Sequence, residues 1–117
     1  MRQTFAPGAL ILTESEQRHA LFLICAGHVR VELDYPEFNI EIAKLGEGDL
    51  FGEMSLLEGL TVSANVIADS EMEVDVCETE QVVDMFDKDR EFEGRFFKSL
   101  AYILSMRLRD TSLRAFA

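Results

Sequence analysis

The residues best suited to chemistry lie in two short runs, Phe51-Gly52-Glu53-Met54-Ser55 and Thr61-Val62-Ser63-Ala64. Glycine lets a backbone come close to a ligand, and the first N–H groups of a helix are unpaired donors at the positive end of its dipole. Gly52, Met54 and Ser55 are therefore placed to donate to an anion such as a phosphate. Glu53 adds a carboxylate acceptor, although the same carboxylate would also stabilise a helix N-terminus with no ligand present. Ser63 supplies a hydroxyl beside Ala64, and between them and Thr61 stands Val62, which offers an anion nothing.

The other reactive residue types form no comparable group. Cys25 and Cys77 sit inside apolar, strand-like runs and lack the close spacing of metal or redox motifs, so they read as buried thiols in a reducing compartment. His19 and His28 read as surface residues. An enzyme built on a metal-binding barrel would need a cluster of His and Glu ligands on adjacent strands, and these two histidines are not in one. The expectation is a non-enzyme with no metal and no cofactor.

Charge narrows the partners. The chain of 117 residues carries 22 Asp and Glu against 11 Lys and Arg, a net of −11. Such a surface repels polyphosphate, which argues against direct nucleic-acid binding. The imbalance is uneven: 20 acidic and 6 basic residues precede Phe92, while 2 acidic and 5 basic follow from it. The basic end reads as a solvated helix face with cations near its C-terminus. No signal peptide is recognisable, and no apolar run approaches the roughly 18 residues of a membrane span. A cytoplasmic protein is expected.

These residues need elements to position them. With 48% hydrophobic residues and no low-complexity run, residues 1–117 read as one packed domain. From Ala9 to Cys77 short runs alternate with period two: ALIL (9–12), ALFLIC (20–25), HVRVELD (28–34), NIEIAKL (39–45), VSANVIA (62–68) and EMEVDVC (71–77). The last two read as a hairpin through Asp69-Ser70. Gly27, Gly46 and Gly48 fall between runs, where a reversing chain needs positive φ. So many short strands imply a sandwich or small barrel, with Val31, Ile42, Phe51 and Leu56 turned inward. After Cys77 the period becomes helical. Thr79 caps a short helix over 80–89, and Phe92, Phe96, Phe97, Leu100, Ile103, Leu104 and Leu108 recur at helical spacing. That stripe is wide enough for its distal part, with Phe96, Ile103 and Leu104 as candidates, to meet a partner helix in a homodimer.

FAPGALIL, LFLICAGHVRVEL, KLGEGDLFGEMSLLEG and then SANV together resemble the cyclic nucleotide-binding domains of catabolite-activator-type regulators, cyclic-AMP-dependent kinase regulatory subunits and cyclic-nucleotide-gated channels. The resemblance runs from about Phe5 to Ala68 and more loosely through the C-terminal helices. It implies a mainly β fold: a double-stranded β-helix, or jelly-roll, barrel over about residues 5–77, with C-terminal α-helices over about 79–113. It also implies a regulatory sensor whose phosphate-binding cassette takes cyclic AMP or cyclic GMP, with Glu53 accepting from the ribose 2′-hydroxyl and a C-terminal helix covering the ligand.

The departures from the family pattern bear on affinity. Tight binders carry an Arg, usually within Pro-Arg-Ser/Ala-Ala, whose guanidinium forks onto the cyclic phosphate; Val62 stands at that position. Losing one partner of such a buried pair costs ~3–5 kcal/mol, so binding should be weak or lost. The alternative is a domain that binds no nucleotide and serves dimerisation or protein–protein contact. Ser15 and Arg18 stand at glycine-like places of the loop TESEQRHA, and Arg18 is a substitute cation only if it turns inward. Thr111 and Ser112 fit the register at which catabolite-activator-type proteins touch the purine. No helix-turn-helix follows Ala117, so any output domain is expected to lie elsewhere or to have been cut away.

Overall fold

The computed structural model describes residues 1–13, 19–53 and 64–116, the side chains of 111–116 excepted. Eight strands are present among them: β1 (Arg2–Phe5), β2 (Leu10–Leu12), β3 (Ala20–Ala26), β4 (Val29–Asp34), β5 (Asn39–Leu45), β6 (Leu50–Phe51), β7 (Asn65–Ala68) and β8 (Met72–Glu78). Two helices follow, α1 (Thr79–Lys88) and α2 (Arg90–Phe116). The strands form two four-stranded antiparallel sheets, in the orders β1-β8-β3-β6 and β2-β7-β4-β5. The fold is the mainly β, jelly-roll type with C-terminal helices. Among the described residues, no helix is long and apolar enough to cross a membrane.

Alternation explains which side chains meet. On β8, Met72, Val74 and Val76 are buried while Glu73 and Cys77 are exposed, as a half-buried strand requires. Both sheets feed one core: Phe22, Ile24, Phe51 and Val74 come from the first, Leu12, Val29, Val66 and Ala68 from the second. Ile24, Val29, Met72 and Val74 are fully enclosed, each worth about 1.5–3 kcal/mol by burial alone.

Several expectations are corrected. VSANVIA and EMEVDVC do not form a hairpin, because β7 lies in the second sheet and β8 in the first. The Asp69-Ser70 turn is held to β4 instead: Asp69 N donates to the His28 carbonyl at 2.9 Å, and His28 N donates to Ser70 Oγ at 3.1 Å. The chain thereby changes sheets at this turn. Ile42 is 47% exposed rather than inward, since the register steps from Val31↔Ala43 to Glu32↔Glu41 and leaves Ile42 as the extra residue of a bulge on an edge strand. Val31 is half-buried against the core, as expected; Leu56 lies outside the described residues. The cysteines are not buried thiols. Cys77 is exposed on the outward face of β8, and Cys25 is half-buried at the bulge in β3 between Ile24 and Ala26. Thr79 does not cap α1: it is already helical, and its buried Oγ1 has no hydrogen-bond partner among the described residues.

By density of contacts the chain divides into Met1–Glu80 and Gln81–Ala117. Within the second unit Phe86 of α1 is the hub, with the rings of Phe92, Phe96 and Phe97 of α2 at 5.8, 5.2 and 5.2 Å. The proximal part of the apolar stripe is thus engaged inside the helical unit. Phe96 is spent on this cluster, and Ile103 and Leu104 are half-buried. Among the described side chains of α2, the exposed large apolar ones are instead Phe97, Tyr102, Met106 and Leu108. The helix starts on an Asp cap, Phe92 N donating to Asp89 Oδ1 at 3.0 Å.

Candidate functional site

The entry to the candidate site is built by β6 against β3. Phe51 pairs with Phe22 in register, and their rings stack in parallel at 4.8 Å. Gly52 follows at φ +86°, where a side chain is strained, and a Cβ there would lie 2.4 Å from the Ala20 carbonyl oxygen and 3.2 Å from Phe22 Cδ2. Only glycine lets the chain pass this close to the β3 backbone. Glu53 comes next, helical in backbone and buried.

The exit is built by β7 in the other sheet. Ala64 is buried immediately before the strand, and Asn65, its first residue, is buried too. Gly52 and Glu53 on one side and Ala64 on the other are therefore the two ends of a single crossover between the sheets. Met54, Ser55, Val62 and Ser63 lie outside the described residues, as does Arg18. Thr111 and Ser112 fall within α2, in the second compact unit, and their side chains are likewise outside the description.

Electrostatics bears directly on an anion. Three of the Lys and Arg residues up to Glu80 are described, and each already faces a carboxylate. Arg2 Nε donates to Asp75 at 2.8 Å and Arg2 Nη1 lies 3.4 Å from Glu73. Arg30 donates to Glu32 at 2.8 Å and to Asp69 at 2.6 Å. Lys44 lies 4.0 Å from Glu41. The hydrogen bonds of Arg30, to Glu32 first and then Asp69, hold its proton above the ordinary guanidinium value. Arg2 holds the Asp75 carboxyl below the usual carboxylate range. Each of these cations is thus paired with a carboxylate on its own strand, a neighbouring strand or an adjoining turn. Among the described residues, no group of three or more His, Cys, Asp and Glu comes together that could hold a metal.

Reading the sequence missed one polar group near the exit. Asn65 Nδ2 donates to Asp34 Oδ2 at 2.6 Å, joining the start of β7 to the end of β4. The available signal was a lone amide amid the alternation of SANVIA, and its partner, 31 residues away, was beyond any local pattern.

Comparisons with known proteins bear on this geometry. The family description "Cyclic nucleotide-binding domain" matches residues 2–89. The chain is 45% identical over 67 residues to Glutaminase 1 of Bradyrhizobium diazoefficiens, which takes in 57% of this chain and 10% of that protein. It is 28% identical over an alignment of 122 residues to Cyclic GMP-binding protein C of Dictyostelium discoideum, covering 97% of this chain and 5% of that one. Among solved structures, a cyclic nucleotide-binding domain from Methylobacillus flagellatus KT is similar at TM-score 0.90 and 26% identity, over 97% of this chain and 64% of that one. The chain spans a tenth or less of the two curated relatives and under two thirds of this structure.

Proposed function

The chain belongs to the cyclic nucleotide-binding domain family, and from that premise we propose a cytoplasmic regulatory sensor whose affinity for cyclic AMP and cyclic GMP is weak or lost. The reading gives Gly52, Met54, Ser55 and Ser63 the task of donating to a cyclic phosphate, and Glu53 that of accepting from the ribose. Val62 leaves the phosphate without a guanidinium. The observation that carries the reading is the pairing of Arg2, Arg30 and Lys44 with carboxylates of the sheets and their turns, which leaves none of these cations to replace it. Neutral donors alone bind a phosphate less tightly than a charge-assisted fork. The domain itself is read as non-enzymatic, controlling an activity carried elsewhere in a larger assembly; the match to a tenth of a glutaminase supports such an arrangement.

Calorimetric titration with cyclic AMP and cyclic GMP tests this. The unmodified protein should bind neither tightly, and Val62→Arg should improve cyclic AMP affinity by at least about tenfold. That gain falls short of the ~3–5 kcal/mol of a native pair because the new side chain is not pre-organised. In that background Glu53→Gln should weaken ribose-bearing ligands and leave inorganic phosphate nearly unaffected. Tight binding by the unmodified protein, or no gain in a folded Val62→Arg protein, would overturn the reading.

A second reading is a domain that has kept the fold for self-association. It is favoured by the exposure of Phe97 and Leu108 on α2, 37% and 69% respectively.

A further inference from the structure

We propose that Asn65 is a positioning residue for the ligand segment and that it acts through Asp34. The inference rests on the reading that residues 52–64 carry the ligand, and it names what fixes the end of that segment. Asn65 directly follows Ala64 and is 4% exposed, although alternation sets it on the face of β7 opposite the core residues Val66 and Ala68. Its register partner on β4 is Glu32, the last pair of that ladder. Asp34 is two residues farther along β4 and on the same face, so the Asn65 amide reaches it diagonally, at 2.6 Å.

Asp34 is held from its other side as well. It pairs with Asn39 across the β4–β5 hairpin. In the amide orientation that satisfies both of its ends, Asn39 donates to Asp34 Oδ1 at 2.8 Å and to the Phe38 carbonyl at 3.2 Å. Both oxygens of one carboxylate thus accept from amides on two different strands. Hydrogen bonds to a charged acceptor are stronger and more directional than neutral ones, and a buried amide stripped of its acceptor is destabilised. A backbone ladder alone sets register, but the ladder with β4 ends at Asn65 itself. The side-chain bond is what extends the hold on β7 toward the hairpin at the point where the ligand segment enters the sheet. Bound donors must sit within a fraction of an ångström of their targets to count, so a loosened exit reduces affinity although no ligand contact is removed.

The test compares Asn65→Ala, Asp34→Ala, the double variant and Asp34→Asn, each in the unmodified protein and with Val62→Arg. Amide hydrogen exchange at residues 64–66 and cyclic AMP titration are the two measurements, with circular dichroism checking the fold. Asn65→Ala and Asp34→Ala should each speed exchange at residues 64–66 and lower cyclic AMP affinity by about tenfold. The double variant should be no worse than either single one. Asp34→Asn, which keeps an acceptor oxygen in place, should retain affinity to within about twofold. That rescue is the result a general loss of sheet stability would not give. If no protein with Asn65 intact binds cyclic AMP, the ligand reading fails and exchange alone decides the positioning role. Unchanged exchange at residues 64–66 in Asn65→Ala, or an Asp34→Asn protein as impaired as Asp34→Ala, would overturn the proposal.

Discussion

Gly52 carries two constraints at once, a positive φ and a backbone neighbour at 2.4 Å from any added Cβ. Each alone is costly for an L-residue, about 1–2 kcal/mol for the conformation and about 1–3 kcal/mol for the overlap. Gly52→Ala should therefore lower the unfolding free energy by about 2–4 kcal/mol in a urea titration, whether or not a ligand is bound. The importance of Gly52 was legible in the sequence from its place before Glu53, but the reason was not, because the obstructing carbonyl belongs to Ala20, more than thirty residues upstream. The cysteines make the opposite point. An apolar run suggested burial for both, yet a strand buries only alternate side chains, and a bulge shifts that alternation at Cys25. Cys25 Sγ lies 3.5 Å from Asp75 Oδ2, and its pKa is raised by partial burial first and by the hydrogen bond to Asp75 second. Since the thiolate is the reactive form, iodoacetamide at about pH 8 should alkylate the exposed Cys77 well before Cys25. Peptide mapping of a partly labelled sample checks the order, and Asp75→Asn should narrow the gap.

Elements were legible where a strand obeyed a single local rule. NIEIAKL was expected over 39–45 and is β5 with those bounds. Its side-chain facing was not legible, because the bulge at Ile42 arises from pairing with β4 rather than from the segment itself. The shortest strand, β6, has two residues, too few to show a period, and β1 precedes the first apolar run. β1 is fastened by charge as much as by pattern: Arg2 bonds Asp75 and Glu73 on β8. Because Asp75 is held below its ordinary pKa in the folded state, its contribution is present above the unfolded carboxylate range and is lost as pH falls through the folded value. The urea midpoints of the wild type and Arg2→Ala should accordingly differ most near neutrality and converge as pH drops below about 4. High salt should shrink the neutral-pH difference, since the pair is exposed. At the start of α2, Asp89→Ala should cost about 0.5–2 kcal/mol by removing the bond to Phe92 N.

At the scale of the whole molecule, the chain joins an acidic β unit to a basic-ended helix of 27 residues, about 40 Å long at 1.5 Å per residue. The sequence showed the apolar stripe on this helix but could not say which part was already in use. Phe86 takes up the Phe92 and Phe96 side of it, and what remains exposed is displaced around and along the helix. Phe97, Ala101, Leu104 and Leu108 follow one another at intervals of four, three and four, the spacing by which two helices interlock side chains along a seam. Phe97 and Leu108 are exposed at the two ends of that series. If a second copy covers them, sedimentation velocity should show a dimer at high micromolar concentration. Replacing both by lysine should then raise the dissociation constant by well over about tenfold, because two apolar side chains at about 1.5–3 kcal/mol each leave the interface and two cations enter it. Phe96→Ala should destabilise the helical unit by removing a ring that packs on Phe86 at 5.2 Å. Because Phe97 packs there at 5.2 Å too, Leu108→Lys alone is the variant that should weaken the dimer without that cost. A wild-type protein that stays monomeric at that concentration would remove the self-association reading.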